Sequence, residues 1–120
     1  MELGKVLIVE DDPLITFAVC HDLIERGYGV LTALNADEAI HLLETETDIR
    51  TVFTDIEMPG SMDGLKLASA VKRKWPPIKI IITTAVGILA EEDMPADSVF
   101  LPKPWDPGRL LSIVDRMFGA

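Results

Sequence analysis

Val52-Phe53-Thr54-Asp55-Ile56-Glu57-Met58-Pro59-Gly60 is the stretch on which the reading of this chain turns. An apolar run carries a carboxylate to its end, and a turn marked by Pro59 and Gly60 follows at once. A strand that stops on an acid and breaks into a loop puts that acid at the rim of a sheet. In open α/β sheets, the rim at the carboxyl ends of the strands is where ligands and chemistry sit. Asp55 is therefore a candidate working residue, and its importance depends on what the other strand ends bring to it.

Working outward, Lys5-Val6-Leu7-Ile8-Val9 is apolar without alternation, as a strand buried on both faces reads. It ends in Glu10, Asp11 and Asp12, and Pro13 then suits the first turn of a helix with Asp12 as N-cap. Ile15, Ala18, Val19 and Leu23 repeat at helical spacing, and Gly27 is the expected C-cap. A second strand is expected over 28–33, and Asn35 is placed to cap a helix holding Ala36, Ala39, Ile40 and Leu43. The third strand, 51–54, leads into Asp55. Asp63 then caps a helix carrying Leu67, Ala68, Val71 and Trp75, which Pro76 and Pro77 stop.

The most apolar strand is expected over 78–83 and runs into Thr84-Ala85. The segment 86–98 is the least regular, with Gly87, a Glu91-Glu92-Asp93 run that reads as a solvated face, and Pro95, so the fourth helix is expected to be short or irregular. A short fifth strand, 99–101, ends at Pro102-Lys103-Pro104. Asp106 and Pro107 open a last helix with Leu110, Val114 and Met117 on its inner face. Strand and helix thus alternate five times, which implies an α/β fold: a five-stranded parallel sheet with helices on both faces.

Composition bounds the rest. The 120 residues suffice for one domain with one core, read as 1–120, and 48% of them are hydrophobic, which disfavours disorder. The net charge of −9 argues against direct nucleic-acid binding and against an anionic membrane surface. No apolar run approaches the roughly 18 residues that span a bilayer. Cys20 is the lone cysteine, expected as a packing residue, and fits a reducing cytoplasmic location. His21 and His41 lie on expected helices without metal-ligand spacing.

In a parallel sheet the strand ends share one edge. Glu10 and Asp11, Asp55, Thr84 and Lys103 would then converge. Three acids close together repel, and a divalent cation resolves the conflict. Carboxylate-rich oxygen ligands suit Mg²⁺, which often bridges to a phosphate. With an ammonium and a hydroxyl beside them, the set is one for phosphoryl transfer, where positioning and charge neutralisation supply most of the catalysis. A carboxylate can itself be the nucleophile and form an aspartyl phosphate. Taken singly these residues have plainer readings: a solvated helix cap for Glu10-Asp11, a turn-initiating Asp55, a surface lysine at Lys103. Their order along the chain favours the site.

Over essentially its whole length the chain resembles a response-regulator receiver domain, the fold of the chemotaxis response regulator. The likeness rests on Val9-Glu10-Asp11-Asp12, on Asp55-Ile56-Glu57-Met58-Pro59 with Gly64 downstream, on Thr84-Ala85, on Phe100 three residues before the lysine, and on Lys103-Pro104. The resemblance implies a flavodoxin-like receiver fold and a two-component phosphorelay role. Asp55 would accept a phosphoryl group from a histidine kinase or phosphotransfer protein, whose histidine lies on another chain. The metal ligands would be Glu10, Asp11, Asp55 and the Glu57 backbone carbonyl, with Mg²⁺ as cofactor. Thr84, preferred to Thr83 for its Thr-Ala context, and Lys103 would contact the phosphoryl group. Phe100 would be the switch aromatic, although a half-buried strand aromatic explains it as well.

The resemblance further implies a cis Lys103-Pro104 bond, slow self-catalysed chemistry rather than enzymatic turnover, and a downstream protein target. No output domain is expected within 1–120. Two spacings depart from the family pattern. Asp55 to Gly64 is longer, with Gly60-Ser61 the expected place of the addition, and Thr84 to Lys103 is shorter. Glu57 and Val86 occupy positions that tune phosphoryl lifetime in the family. The alternatives are a Mg²⁺-dependent phosphohydrolase with an aspartyl nucleophile, and a protein-binding module of the same fold that works without phosphorylation.

Overall fold

The computed structural model describes residues 3–60, 62–85 and 94–119. The expectations for Ser61, Val86, Gly87, Glu91-Glu92-Asp93 and most of the fourth helix lie outside those residues. The strands are β1 (Lys5–Val9), β2 (Gly29–Ala33), β3 (Ile49–Asp55), β4 (Lys79–Thr83) and β5 (Val99–Phe100). The described helices are α1 (Pro13–Arg26), α2 (Ala36–Thr45), α3 (Gly64–Lys74) and α4 (Pro107–Met117). All strand pairings are parallel, in the order β2-β1-β3-β4-β5. None of the described helices is long and apolar enough to cross a membrane.

The two-residue period of a strand explains the unbroken apolar runs. Leu7 and Val9 of β1, Val52 of β3 and Ile80 and Ile82 of β4 pack on one face, with Ala39 and Leu43 of α2 and Leu67, Ala68 and Val71 of α3. Val6, Ile8, Phe53 and Ile81 point to the other face and meet Val19 and Leu23 of α1 and Leu110, Ile113 and Val114 of α4. Each central strand therefore feeds two cores, which leaves little place for polar residues until it ends.

The caps fall where the polar residues placed them. Asp12, Asn35, Asp63 and Asp106 accept from backbone N–H groups in the first turns of α1, α2, α3 and α4. Gly27 closes α1 in the left-handed region at φ 103°. Some expectations need correction. β3 starts at Ile49, because a register shift next to Lys5 lets Ile49 pair there. Trp75 is the C-cap of α3 rather than within the helix, and it still packs against the core that Leu67, Ala68 and Val71 join. β5 is only Val99–Phe100, although the Leu101 N–H still reaches the Ile82 carbonyl at 2.8 Å. On α1, Val19 and Leu23 are buried, but Ala18 is exposed and so are its neighbours Leu14 and Phe17.

The strand order also locates a crevice. The chain moves from β1 to β2 on one side and then crosses to β3 on the other. Crevices form at the carboxyl ends of strands where the order reverses in this way. Here they lie between Glu10 after β1 and Asp55 at the end of β3.

Candidate functional site

Glu10, Asp11 and Asp55 each offer a carboxylate oxygen, and these atoms all lie within 4.8 Å of one another. Glu10 and Asp55 are buried, whereas Asp11 is exposed. The cluster arises because the two apolar runs end side by side: Val9 pairs with Thr54. Beyond that pair, each strand is free to carry an acid.

Lys103 enters from the loop after β5. Its N–H donates to the Thr84 carbonyl at 3.0 Å, which prolongs the sheet and aims the side chain inward. Its Nζ lies 2.7 Å from Asp55 Oδ2 and 3.1 Å from Glu10 Oε1. The following bond to Pro104 is cis, as the resemblance implied. Burial alone would depress the Lys103 pKa, but hydrogen bonds to Asp55 and Glu10 outweigh it and hold the ammonium above its ordinary value. Glu10 is pushed up from the usual carboxylate range, chiefly by burial, with the negative charge of Asp55 adding to it. The Asp12 N–H, which donates to Glu10 Oε2 at 3.1 Å, and Lys103 hold that rise in check.

Gly64 shows how closely the α3 N-terminus approaches this site. Its N–H donates to the Ile56 carbonyl at 3.0 Å. A Cβ on Gly64 would stand 2.0 Å from the Asp55 carbonyl oxygen and 2.8 Å from Ile56 Cα. Only glycine allows that backbone approach, so the helix start holds the Asp55 backbone in place.

Thr84 is buried at the end of β4, and its hydroxyl donates to the Glu57 carboxylate, 2.7 and 2.6 Å from the two oxygens. The Glu57 N–H donates to Asp55 Oδ1 at 3.2 Å. The sequence reading gave Glu57 a backbone carbonyl role and a position that tunes phosphoryl lifetime, and missed its bond to Thr84. The signal was available in the parallel pairing of β3 with β4: Asp55 lies opposite Thr83, so Glu57 and Thr84 both stand just past paired strand ends. Thr83 Oγ1 is buried and has no hydrogen-bond partner among the described residues.

Phe100 pairs with Ile82 on β5 and is half-buried. His21 is exposed on α1 beside Asp22 and Glu25, and His41 is exposed on α2. Neither belongs to the acidic cluster. Cys20 packs against the α1–α4 core, and burial pushes its thiol pKa up. Trp105 meets Phe53 edge-on, with ring centroids 5.3 Å apart, which supports the loop that carries Lys103.

The arrangement is two buried acids and one exposed acid around a captive ammonium, with a hydroxyl close by. Hard oxygen donors at this spacing suit a divalent cation. Comparison with known proteins agrees. Residues 6–115 match the family model for the response regulator receiver domain. The DNA-binding transcriptional regulator NtrC of Klebsiella pneumoniae is 33% identical over 121 residues, covering 97% of this chain and 25% of that protein. This chain thus spans about a quarter of the length of the curated relatives it matches. A CheY-like receiver domain protein from Methanospirillum hungatei superposes with a TM-score of 0.87 at 27% identity, covering 98% of this chain and 95% of that one. NtrX from Brucella abortus superposes with a TM-score of 0.87 at 28% identity, covering 99% of this chain and 27% of that one. The chain belongs to the response regulator receiver domain family, whose part in two-component signalling is that of phosphoacceptor.

Proposed function

We propose that Asp55 is the phosphoacceptor of this receiver domain, read as 1–120, and that a histidine kinase or phosphotransfer protein supplies the group. The observation that carries this is the convergence of Asp55, Glu10 and Asp11 on one another with Lys103 Nζ held 2.7 Å from Asp55 Oδ2. An Asp55 oxygen attacks the donor's phosphorus, an O–P bond forms, the P–N bond to the donor imidazole breaks, and the bond's electron pair stays with the imidazole. Lys103 orients the carboxylate beforehand and pairs with phosphoryl oxygens afterwards. The Thr84 hydroxyl donates to the phosphoryl group once it is in place. Glu10, Asp11, Asp55 and the Glu57 carbonyl would hold Mg²⁺, which supplies charge neutralisation for the phosphoryl oxygens.

Movement of Thr84 then biases a two-state equilibrium that Phe100 follows, and the change is read by a downstream protein. The donor docks beside Lys103, where Leu14, Ile15 and Ala18 of α1 line an apolar concavity with Trp105 and Pro107. Leu14, which is 80% exposed, offers apolar surface there to a partner. The chain acts as a stoichiometric acceptor with slow self-catalysed turnover, in the cytoplasm, where a lone cysteine stays reduced. A phosphohydrolase of this type would need an acid two residues after the nucleophile to serve the leaving group. The Glu57 carboxylate is instead engaged with Thr84.

Beryllofluoride, an acyl-phosphate mimic, is expected to bind the wild type in the presence of Mg²⁺, and Asp55→Asn is expected to abolish that binding. Isothermal calorimetry measures both, and equal affinity of the two proteins would overturn the assignment of Asp55.

A further inference from the structure

The contact between Glu57 and Thr84 ties a resting hydroxyl to an acid beside the acceptor. Thr84 is 3% exposed, whereas Glu57 is open to solvent. Glu57 is anchored to Asp55 through its backbone N–H. A hydroxyl has one proton to donate. While the Glu57 carboxylate takes it, that proton does not serve a group on Asp55.

We propose that Glu57 is a latch on Thr84: a positioning residue that holds the hydroxyl in the resting state and that phosphorylation of Asp55 displaces. The proposal rests on the roles of Asp55 and Thr84 given above. Release follows from charge. A phosphoryl group brings about 1.5–2 negative charges to the residue next but one to Glu57. The like charge opposes Glu57, while the phosphoryl oxygens compete as strong acceptors for the Thr84 proton. Glu57 is exposed and turns into water at little cost. Thr84 is buried and only exchanges one acceptor for another. The latch thus sets a threshold: any ligand on Asp55 that recruits Thr84 works against one charge-assisted hydrogen bond.

A double-mutant cycle on the full chain tests this, with beryllofluoride and Mg²⁺ as the probe and calorimetry as the readout. Glu57→Ala is expected to tighten probe binding about tenfold when Thr84 is present, roughly 1.4 kcal/mol. In a Thr84→Val background the same change is expected to alter binding by less than about twofold. Equal tightening in both backgrounds would mean that Glu57 acts only as a like charge beside Asp55, and would overturn the latch. So would a failure of Glu57→Ala to tighten binding at all. A second readout is the Thr84 methyl resonance in protein labelled at threonine methyl groups. In probe-free Glu57→Ala it is expected to move toward its probe-bound position, and an unmoved resonance counts against the latch. If the wild type itself fails to bind the probe, or Asp55→Asn binds it equally, the phosphoacceptor reading falls and takes the latch with it.

Discussion

At the carboxyl end of the sheet, Glu10, Asp11 and Asp55 crowd within 4.8 Å, and Lys103 bonds to two of them. At the amino end, Asp115 on α4 accepts from both the Tyr28 hydroxyl and the Arg26 guanidinium, and the Phe118 ring packs tilted against Tyr28. Carboxylates meeting a cation make a charge-crowded cluster at one end and a staple at the other. The first arrangement keeps excess negative charge that an incoming cation or a cation-bearing phosphoryl group can relieve. The second joins the end of α1 and the start of β2 to α4, leaves the Tyr28 hydroxyl and the Arg26 guanidinium matched to one carboxylate, and holds the fold closed. A receiver domain needs both: repulsion where its ligand arrives, and satisfied bonds where nothing arrives.

Substitutions that should affect one end alone test that division. The largest effect is expected at Gly64, where a Cβ meets backbone at 2.0 Å and no side chain can give way. Gly64→Ala should cost about 3 kcal/mol, the upper end for overpacking, measured by urea unfolding, and should also weaken beryllofluoride binding because the Asp55 backbone moves. At the amino end, a Cβ on Gly4 would press mainly on the Phe118 and Arg50 side chains. Gly4→Ala should strain the φ 126° backbone yet leave probe binding unchanged.

Next in size is the response to a divalent cation. Mg²⁺ at about a hundredfold over its dissociation constant should stabilise the wild type by about 2.7 kcal/mol. Asp11→Asn should lose most of that gain and, without Mg²⁺, should unfold at slightly higher urea than the wild type because one repelling charge is gone. Asp115→Asn should behave the other way. It should cost about 1–2 kcal/mol by weakening the bonds to Tyr28 and Arg26, and should keep the full Mg²⁺ response. If Asp115→Asn blunted the ion response, or Asp11→Asn destabilised the metal-free protein, the two ends would not differ in the way argued.

The carboxyl end was largely legible in the sequence because its residues interrupt apolar runs. Glu10 and Asp55 stand out after Val9 and Thr54, and Lys103 stands out between two prolines. The amino-end staple was not legible. Tyr28 and Asp115 are 87 residues apart, and nothing local marks either. Glu57 and Thr84, 27 residues apart, meet only because β3 and β4 pair in one register. Helical periodicity also misplaced part of α1: it gave Ile15, Ala18, Val19 and Leu23 one inner face, but α4 covers only some of that helix and leaves Ala18 outside. Local pattern thus located the charged strand ends, while partner choice depended on strand register and helix packing.

The smallest effect concerns Tyr28, and it isolates the amino end. Burial raises its pKa most, and the adjacent Asp115 carboxylate raises it further by disfavouring a second negative charge, while Arg26 opposes the rise. Tyr28 is the chain's one tyrosine, so the phenolate absorbance of the whole protein reports it alone. The folded-state value lies above the unfolded one, near 10. The Tyr28–Asp115 contribution is therefore fully present below about pH 10 and is lost only as pH rises through the raised value. Between neutrality and about pH 10 its contribution to stability should be flat, and phenolate should be scarce in the folded protein even where a free tyrosine is half ionised. Asp115→Asn removes the neighbouring anion and should bring the titration down toward the ordinary range, with burial alone keeping part of the rise. A wild-type phenolate titration centred near pH 10 would show that the hydroxyl is not held by Asp115, and the contrast between the two ends of the sheet would lose its satisfied half.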